Sequence, residues 1–280
     1  MALRGLISIE HRIMHIKRYR VTPGRPFRRS GADPDDHGGF KNEADAFERT
    51  EAHIARLNPL QERLYAEGKR SLLIILQAID TGGKDGTIRH VMRGINPQGC
   101  NVTSFKAPTP EERSHDFLWR IHRAVPAKGM IGIFNRSHYE DVLVTRVHGD
   151  ISRAEAGDRF REINAFEREL VQNGTTILKF YLAISKDEQR RRLQARVDDP
   201  QKRWKFSTGD LAERRYWDKY MRVYADACSA TSTKHAPWYV IPANHKWYRN
   251  YLVAKIVAAT LEKMDPQFPS SRGPSHIRVK

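Results

Sequence analysis

Lys84 sits in a stretch whose residue types suit the grip of a phosphate group. Between Gln77 and Gly86 the chain reads QAIDTGGKDG, with adjacent glycines at Gly82 and Gly83, one lysine, and the acids Asp80 and Asp85. Glycines let a backbone approach an anion closely, and the N–H groups of a turn that opens a helix converge on its oxygens. Lys84 adds a compact positive charge that can follow phosphate oxygens during transfer. The strict Walker pattern asks for glycine at its first position and Ser or Thr after the lysine. Ala78 and Asp85 hold those places, so the hydroxyl that usually reaches magnesium is missing. Asp80 or Asp85 can bind the ion instead, since magnesium prefers hard oxygen ligands. An ordinary tight turn is the plainer alternative. Gly86 and Thr87, where a helix is expected to begin, complete the phosphate-binding candidates of this loop.

A second cluster follows the apolar run Met130–Phe134, in Asn135-Arg-Ser-His-Tyr-Glu-Asp141. Ligands of parallel α/β proteins lie beyond the carboxyl ends of the strands, so this loop is expected to face Lys84. Asn135 suits a metal-bound water or a phosphate, Arg136 a clamp on phosphate oxygens, and Glu140 a metal or substrate contact. Taken singly, these residues read equally well as a turn, a surface ion pair and a packed polar group. A third cluster is basic: Arg190, Arg191, Arg192, Arg196, Lys202, Arg203 and Lys205, interspersed with Trp204 and Phe206. It reads as a solvated helix or as a track for a polyanion, whose condensed counterions would be released on binding.

Elements of two kinds must position these groups. Leu72–Leu76 is a short run with little polar alternation, the mark of a strand covered on both faces. Similar runs are Met130–Phe134, Ile177–Ile184 and, more weakly, Trp238–Ile241. Between them lie helical segments. Glu43–Gly68 repeats apolar residues at helical spacing, with Pro59 expected to interrupt it. Thr109-Pro-Glu-Glu112 has the form of a helix start. From Arg159 to Asn173, Phe160, Ile163, Phe166 and Leu170 share one face before Gly174. Strands alternating with helices predict a three-layer α/β/α domain with a mainly parallel sheet. The expected divisions are a basic arm over residues 1–42, a core over 43–264 with a helical lid insertion at about 185–233, and a tail over 265–280. Met14 is an alternative start.

Bulk composition agrees. The 280 residues carry 49 Lys and Arg against 33 Asp and Glu, a formal charge of +16, which favours nucleic acid, anionic membrane or phosphate-rich partners. No apolar run approaches the ~18 residues of a membrane helix, and no secretory leader is evident. The two cysteines, Cys100 and Cys228, suggest no disulfide framework. The expected place is the cytoplasm.

The chain resembles the polyphosphate kinase 2 family. The resemblance rests on LQAIDTGGKDGTIRHVMRGINPQG from Leu76 to Gly99, APTPEERSHDFLWRIH from Ala107 to His122, GIFNRSHYEDVL from Gly132 to Leu143, ISKDEQRRRLQARVDDPQKRWKFSTGDL from Ile184 to Leu211, and APWYVIPANHKWYRN from Ala236 to Asn250. The resemblance covers nearly the entire chain from about Met14 to Met264, and these segments carry it in order. The resemblance implies a P-loop kinase fold and transfer of phosphoryl groups between inorganic polyphosphate and nucleotides. It implies that Asp80, Lys84 and Asp85 match the Walker A catalytic positions and Arg136 an essential phosphate-contacting arginine. It further implies a lid at Arg190 to Lys205, with Arg190, Arg196, Lys202, Arg203 and Lys205 as candidate polyphosphate or lid contacts. Asn135 stands where many relatives have an acid, and its loop resembles the subgroup that accepts nucleoside mono- and diphosphates. Magnesium held by Asp80 and Asp85, with manganese as a substitute, is implied as cofactor. The implied substrates are AMP, ADP and ATP, with guanine nucleotides as further candidates, and the implied assembly is a homodimer or homotetramer.

Two other readings remain at this level. An ATP-dependent nucleotide or nucleoside kinase would share fold and loop and differ only in its donor. A nucleic-acid binder would use Trp204, Phe206, Trp217 and Tyr220 for stacking, although their spacing suits a buried helical face equally well. A dinucleotide oxidoreductase is disfavoured because no G-x-G-x-x-G follows the first strand.

Overall fold

The run at Leu72–Leu76 lacks polar alternation because the strand it forms lies at the middle of a sheet. The computed structural model describes residues 16–28 and 32–270. In chain order its elements are α1 (Glu43–Glu67), β1 (Ser71–Gln77), α2 (Lys84–Val91), β2 (Cys100–Ser104), α3 (Pro110–Arg113), α4 (Trp119–His122), β3 (Ile131–Asn135), α5 (Glu140–His148) and α6 (Arg153–Gln172). These are followed by β4 (Thr175–Ala183), α7 (Lys186–Asp198), α8 (Thr208–Arg214), α9 (Trp217–Thr231), β5 (Trp238–Pro242) and α10 (Lys246–Met264), with short 3-10 turns at Pro97–Gly99 and Arg203–Lys205. The five strands are parallel in the order β2-β3-β1-β4-β5. β1 is buried along its whole length, and helices cover both faces, which gives the expected three-layer α/β/α architecture. From β1 the chain turns first toward β2 and β3 and later toward β4 and β5. The direction of winding therefore reverses beside β1, where a crevice opens past the strand ends.

Four of the five strands match the apolar runs. β2 has no counterpart among them, because it is an edge strand with a polar sequence and largely exposed side chains. Pro59 does not interrupt α1, contrary to expectation. The proline is exposed, so water can satisfy the carbonyl left without its donor, while Ile54, Leu57 and Leu64 stay buried on the inner face. The start at Thr109 is a capping box with Pro110 at its first turn, but that helix lasts one turn and the chain re-enters helix only at Trp119. The helix read from Arg159 begins earlier, at Arg153, behind a second capping box on Ser152.

The described part of the arm packs on the core. Val21 donates to the Trp238 carbonyl (2.9 Å) and Val240 to that of Tyr19 (2.8 Å), which covers the free edge of β5. Phe40 lies among Trp247, Tyr248 and Tyr251 of α10. Met14 lies outside the described residues, as does the tail beyond residue 270.

The segment 185–233 is not one body. α7 buries Glu188, Gln189, Arg192 and Leu193, and α9 buries seven residues, among them Trp217, Met221 and Tyr224. Between them, no residue from 194 to 216 is fully buried. None of the helices among the described residues is long and apolar enough to cross a membrane.

Candidate active site

The loop between β1 and α2 turns back on itself before the helix begins. Gly82 donates to the Ile79 carbonyl (3.0 Å), Thr81 adopts a positive φ of 64°, and Gly83 follows at 99°. A Cβ at Gly82 would collide with Ala78, and one at Gly83 with the Arg249 guanidinium, so both glycines are demanded by close approach. Lys84 is the first residue of α2, and its Nζ donates to the Ala78 carbonyl (2.8 Å), closing the loop. Asp85 follows on the same turn. Thr87 is buried, and its hydroxyl donates back to the Gly83 carbonyl (3.0 Å). Gly86 faces Arg249.

The strand register brings the second loop alongside. Leu76 pairs with Asn135, and the Arg136 N–H donates to the Leu76 carbonyl (3.1 Å). Arg136 then takes a positive φ of 66°, rare for a side chain with a Cβ. That turn aims its guanidinium at Asp80 (3.2 Å) and toward Glu140 (3.9 Å). Asn135 donates to Asp85 Oδ1 (2.7 Å). The four catalytic candidates therefore stand in one cluster, with Asn135 and Glu140 at its border.

Charge in the cluster is partly balanced. Burial pulls Lys84 below its ordinary value and the nearby Arg136 adds to this, while Glu140, Asp80 and Asp85 act to keep the amine protonated. Burial pushes Glu140 up, against the pull of Arg136 and Lys84. Two cations, Lys84 and Arg136, thus stand among three carboxylates, Asp80, Asp85 and Glu140, a set of groups suited to positioning phosphate oxygens and neutralising their charge.

Two cavities open onto the loop between β1 and α2 and differ in kind. One, of about 150 Å³, is lined by Asp80, Arg136 and Glu140 together with Trp217, Tyr220 and Tyr224 of α9. The other is a groove of about 600 Å³ running past Gly83 and Gly86 between α2, α7 and α10. Its walls carry Arg89, Arg93, Arg192, Arg196, Lys202, Lys246 and Arg249, with no carboxylate among its lining residues. A separate basin of about 530 Å³ between the arm and the ends of β4 and β5 contains none of the loop residues.

Of the basic lid candidates, Arg196 and Lys202 line the groove. Arg196 also pairs with Asp210 (3.2 Å), and Lys202 with Asp199 (2.5 Å). Arg190 is exposed, Arg203 donates to the Val197 carbonyl (3.0 Å), and Lys205 lies over the Trp204 ring. Two further arginines have a larger part in the groove than local sequence suggested. Arg192 is buried and donates to the Thr81 carbonyl (3.0 Å) and the Asn244 carbonyl (3.1 Å), bracing the loop from α7. Arg249 is 3% exposed, and its guanidinium hydrogen-bonds the Asn250 side chain and no other group among the described residues. Burial first, and then the Arg192 charge, pull Arg249 down to about 9. A desolvated guanidinium with no carboxylate partner among the described residues has the chemistry suited to receiving an anion. The only advance signal was the sequence Trp247-Tyr-Arg-Asn250 itself, which predicts no orientation.

A family model described as polyphosphate kinase 2 matches residues 41–269. The chain belongs to that family. Among polyphosphate kinase 2 relatives, an AMP/ADP-polyphosphate phosphotransferase of Meiothermus ruber is 54% identical over 255 residues, 91% of this chain and 96% of that one. An ADP-polyphosphate phosphotransferase of Rhodopseudomonas palustris is 45% identical over 267 residues, 88% of this chain and 92% of that one. A crystal structure of polyphosphate kinase 2 from Arthrobacter aurescens TC1 superposes with a TM-score of 0.88 at 50% identity, covering 91% of this chain and 92% of the other. The expected P-loop kinase fold is therefore the fold of this chain.

Proposed function

We propose that this chain phosphorylates AMP and ADP at the expense of inorganic polyphosphate, with the two substrates approaching Lys84 from opposite cavities. One observation supports the reading above others: a carboxylate-free groove with seven basic side chains opens onto the same loop as a small pocket walled by aromatic rings. The groove suits a chain of repeated negative charge, whose binding releases counterions. The pocket, which combines rings with Arg136 and Asp80, suits a nucleotide. The names of the relatives point the same way.

In this arrangement the terminal phosphoryl group of polyphosphate lies between Lys84 and Arg136. An oxygen of the nucleotide's terminal phosphate forms the new P–O bond as the bond to the penultimate phosphate of the chain breaks, and the shortened polyphosphate keeps the electron pair. No covalent enzyme intermediate is required. Lys84 and Arg136 stabilise charge on the group in flight, and the chain's remaining basic residues fix its line of approach. The exposed segment 194–216 is the part of the insertion suited to closing as a lid and excluding water.

Magnesium, with manganese as a substitute, fits the donors present. Among the described residues no cluster of three or more His, Cys, Asp or Glu could hold a metal unaided. Asp80 Oδ1 accepts from Arg136 and Asp85 Oδ1 from Asn135, which leaves the second oxygen of each carboxylate available. Magnesium commonly binds through one or two carboxylates plus substrate phosphates, and it would supply charge neutralisation there. Asp80 is the proposed main ligand, with Asp85 assisting the metal or the acceptor. On the family resemblance alone, the proposal extends to reversibility, to guanine nucleotides, to a cytoplasmic place and to a homodimer or homotetramer.

The test is an assay with magnesium and polyphosphate but no ATP, in which AMP and ADP are supplied separately. The expected result is ADP from the first and ATP from the second. Absence of both products, with phosphorylation restored by ATP as donor, would favour an ordinary nucleotide kinase instead.

A further inference from the structure

Behind the Arg136 loop lies a charged network that has no contact with either cavity. His138, Tyr139, Glu167 and Lys179 are all 0% exposed. Lys179, on β4, donates to Glu167 Oε2 of α6 (2.6 Å), to the Tyr139 hydroxyl (2.9 Å) and to the Thr231 carbonyl at the end of α9 (2.7 Å). The Tyr139 hydroxyl donates to the other Glu167 oxygen (2.8 Å), and His138 Nε2 lies 3.4 Å from that same atom. Trp238 of β5 packs edge-on against the Tyr139 ring and donates to the Thr231 hydroxyl (2.8 Å). Four elements are thus tied to Tyr139, three residues after Arg136 and one before Glu140.

We propose that Glu167 and Lys179 are positioning residues, acting through Tyr139 to hold Arg136 and Glu140 in the geometry of transfer. The inference rests on the role assigned to Arg136 above. A buried ion pair gains little stability over apolar residues of similar volume, because desolvation offsets the attraction. What it does supply is a fixed arrangement, and the Arg136 loop needs one. Arg136 holds a positive φ that persists only when its surroundings enforce it. The next residue, Ser137, is fully buried, and its Oγ accepts from the Tyr139 N–H (3.2 Å). Any drift of Tyr139 is therefore passed directly to the turn that aims the guanidinium at Asp80. Against the effect of burial, Lys179 and His138 keep Glu167 below its ordinary value, so it stays an anion with three partners.

The decisive experiment is a mutant cycle. The pair is neutralised as Glu167→Gln with Lys179→Met, in the wild-type and in the Arg136→Ala background, with thermal unfolding, kcat and both KM values measured. A positioning role predicts a kcat loss of roughly 10- to 100-fold in the wild-type background with both KM values little changed. It also predicts no more than about a twofold further loss once Arg136 is gone, because the two act as a unit. Tyr139→Phe, which removes one hydroxyl, gives the same pattern and decides the matter should the double variant not fold. Unchanged kcat in a folded variant, or a loss that multiplies in full in the Arg136→Ala background, would overturn the inference alone. Near-normal turnover by Arg136→Ala itself would overturn the role of Arg136 and this inference with it.

Discussion

Replacing Lys84 with alanine is expected to lower kcat roughly 10²- to 10³-fold, corresponding to about 3–4 kcal/mol of lost transition-state stabilisation, by analogy with removal of an oxyanion-hole donor. Lys84 is buried on the loop onto which both cavities open, flanked by Asp80, Asp85 and Glu140. An ammonium acts on developing charge more strongly there than it would in water. The substitution also removes the bond from Nζ to the Ala78 carbonyl, so the loop loses a clasp as well as a charge. Folding should survive, since the main-chain turn keeps the bond from Gly82 to Ile79. The readout is ATP formed from ADP and polyphosphate, beside an unfolding curve. Near-wild-type turnover in a folded protein would remove Lys84 from the mechanism.

Replacing Lys179 alone with methionine acts on stability. It leaves the Glu167 carboxylate in a fully buried site with, among the described residues, the Tyr139 hydroxyl and His138 beside it, an imbalance that typically costs about 3–5 kcal/mol. The pH dependence separates this from simple loss of packing. In the wild type Glu167 is held below the ordinary glutamate value of 4.5, so its contribution is present above that value and lost as pH falls through the lower folded one. In the variant, burial without the lysine raises the folded value above the unfolded one. The deficit should then be largest near neutrality and shrink as the pH is lowered toward about 5, because the carboxyl can protonate. Denaturant titrations across that range measure it. A deficit independent of pH would mean that packing alone was lost.

The parts of this site legible in the sequence are those that local chemistry dictates. The apolar run at Leu72–Leu76 announced a covered central strand, and Gly82, Gly83 and Lys84 announced the turn beyond it. Asn135, Arg136 and Glu140 were legible because a parallel sheet sends its strand ends to one side, and the register of Leu76 with Asn135 does so. Strand β2 was not legible, since an edge strand with half its surface in water needs no apolar pattern. Helix α10 was missed for the opposite reason. It is buried on nearly every side, so it shows no single stripe. Within the Arg190–Arg192 run, composition could not say which guanidinium turns inward. Successive residues on a helix point about 100° apart, and the structure buries Arg192 while exposing the other two. Arg249 joins it from 57 residues away along the chain, a meeting that only the packing of α7 against α10 and the loop brings about.

That meeting supports the division of substrates between the two cavities, and Arg249→Met tests it most directly. Losing a buried charge-assisted contact of about 1.5–3 kcal/mol should raise KM for long-chain polyphosphate at least roughly tenfold. KM for AMP and for ADP, which the proposal assigns to the aromatic pocket, should stay within about twofold. A folded variant with an unchanged polyphosphate KM, or with equal rises for polyphosphate and nucleotide, would contradict it.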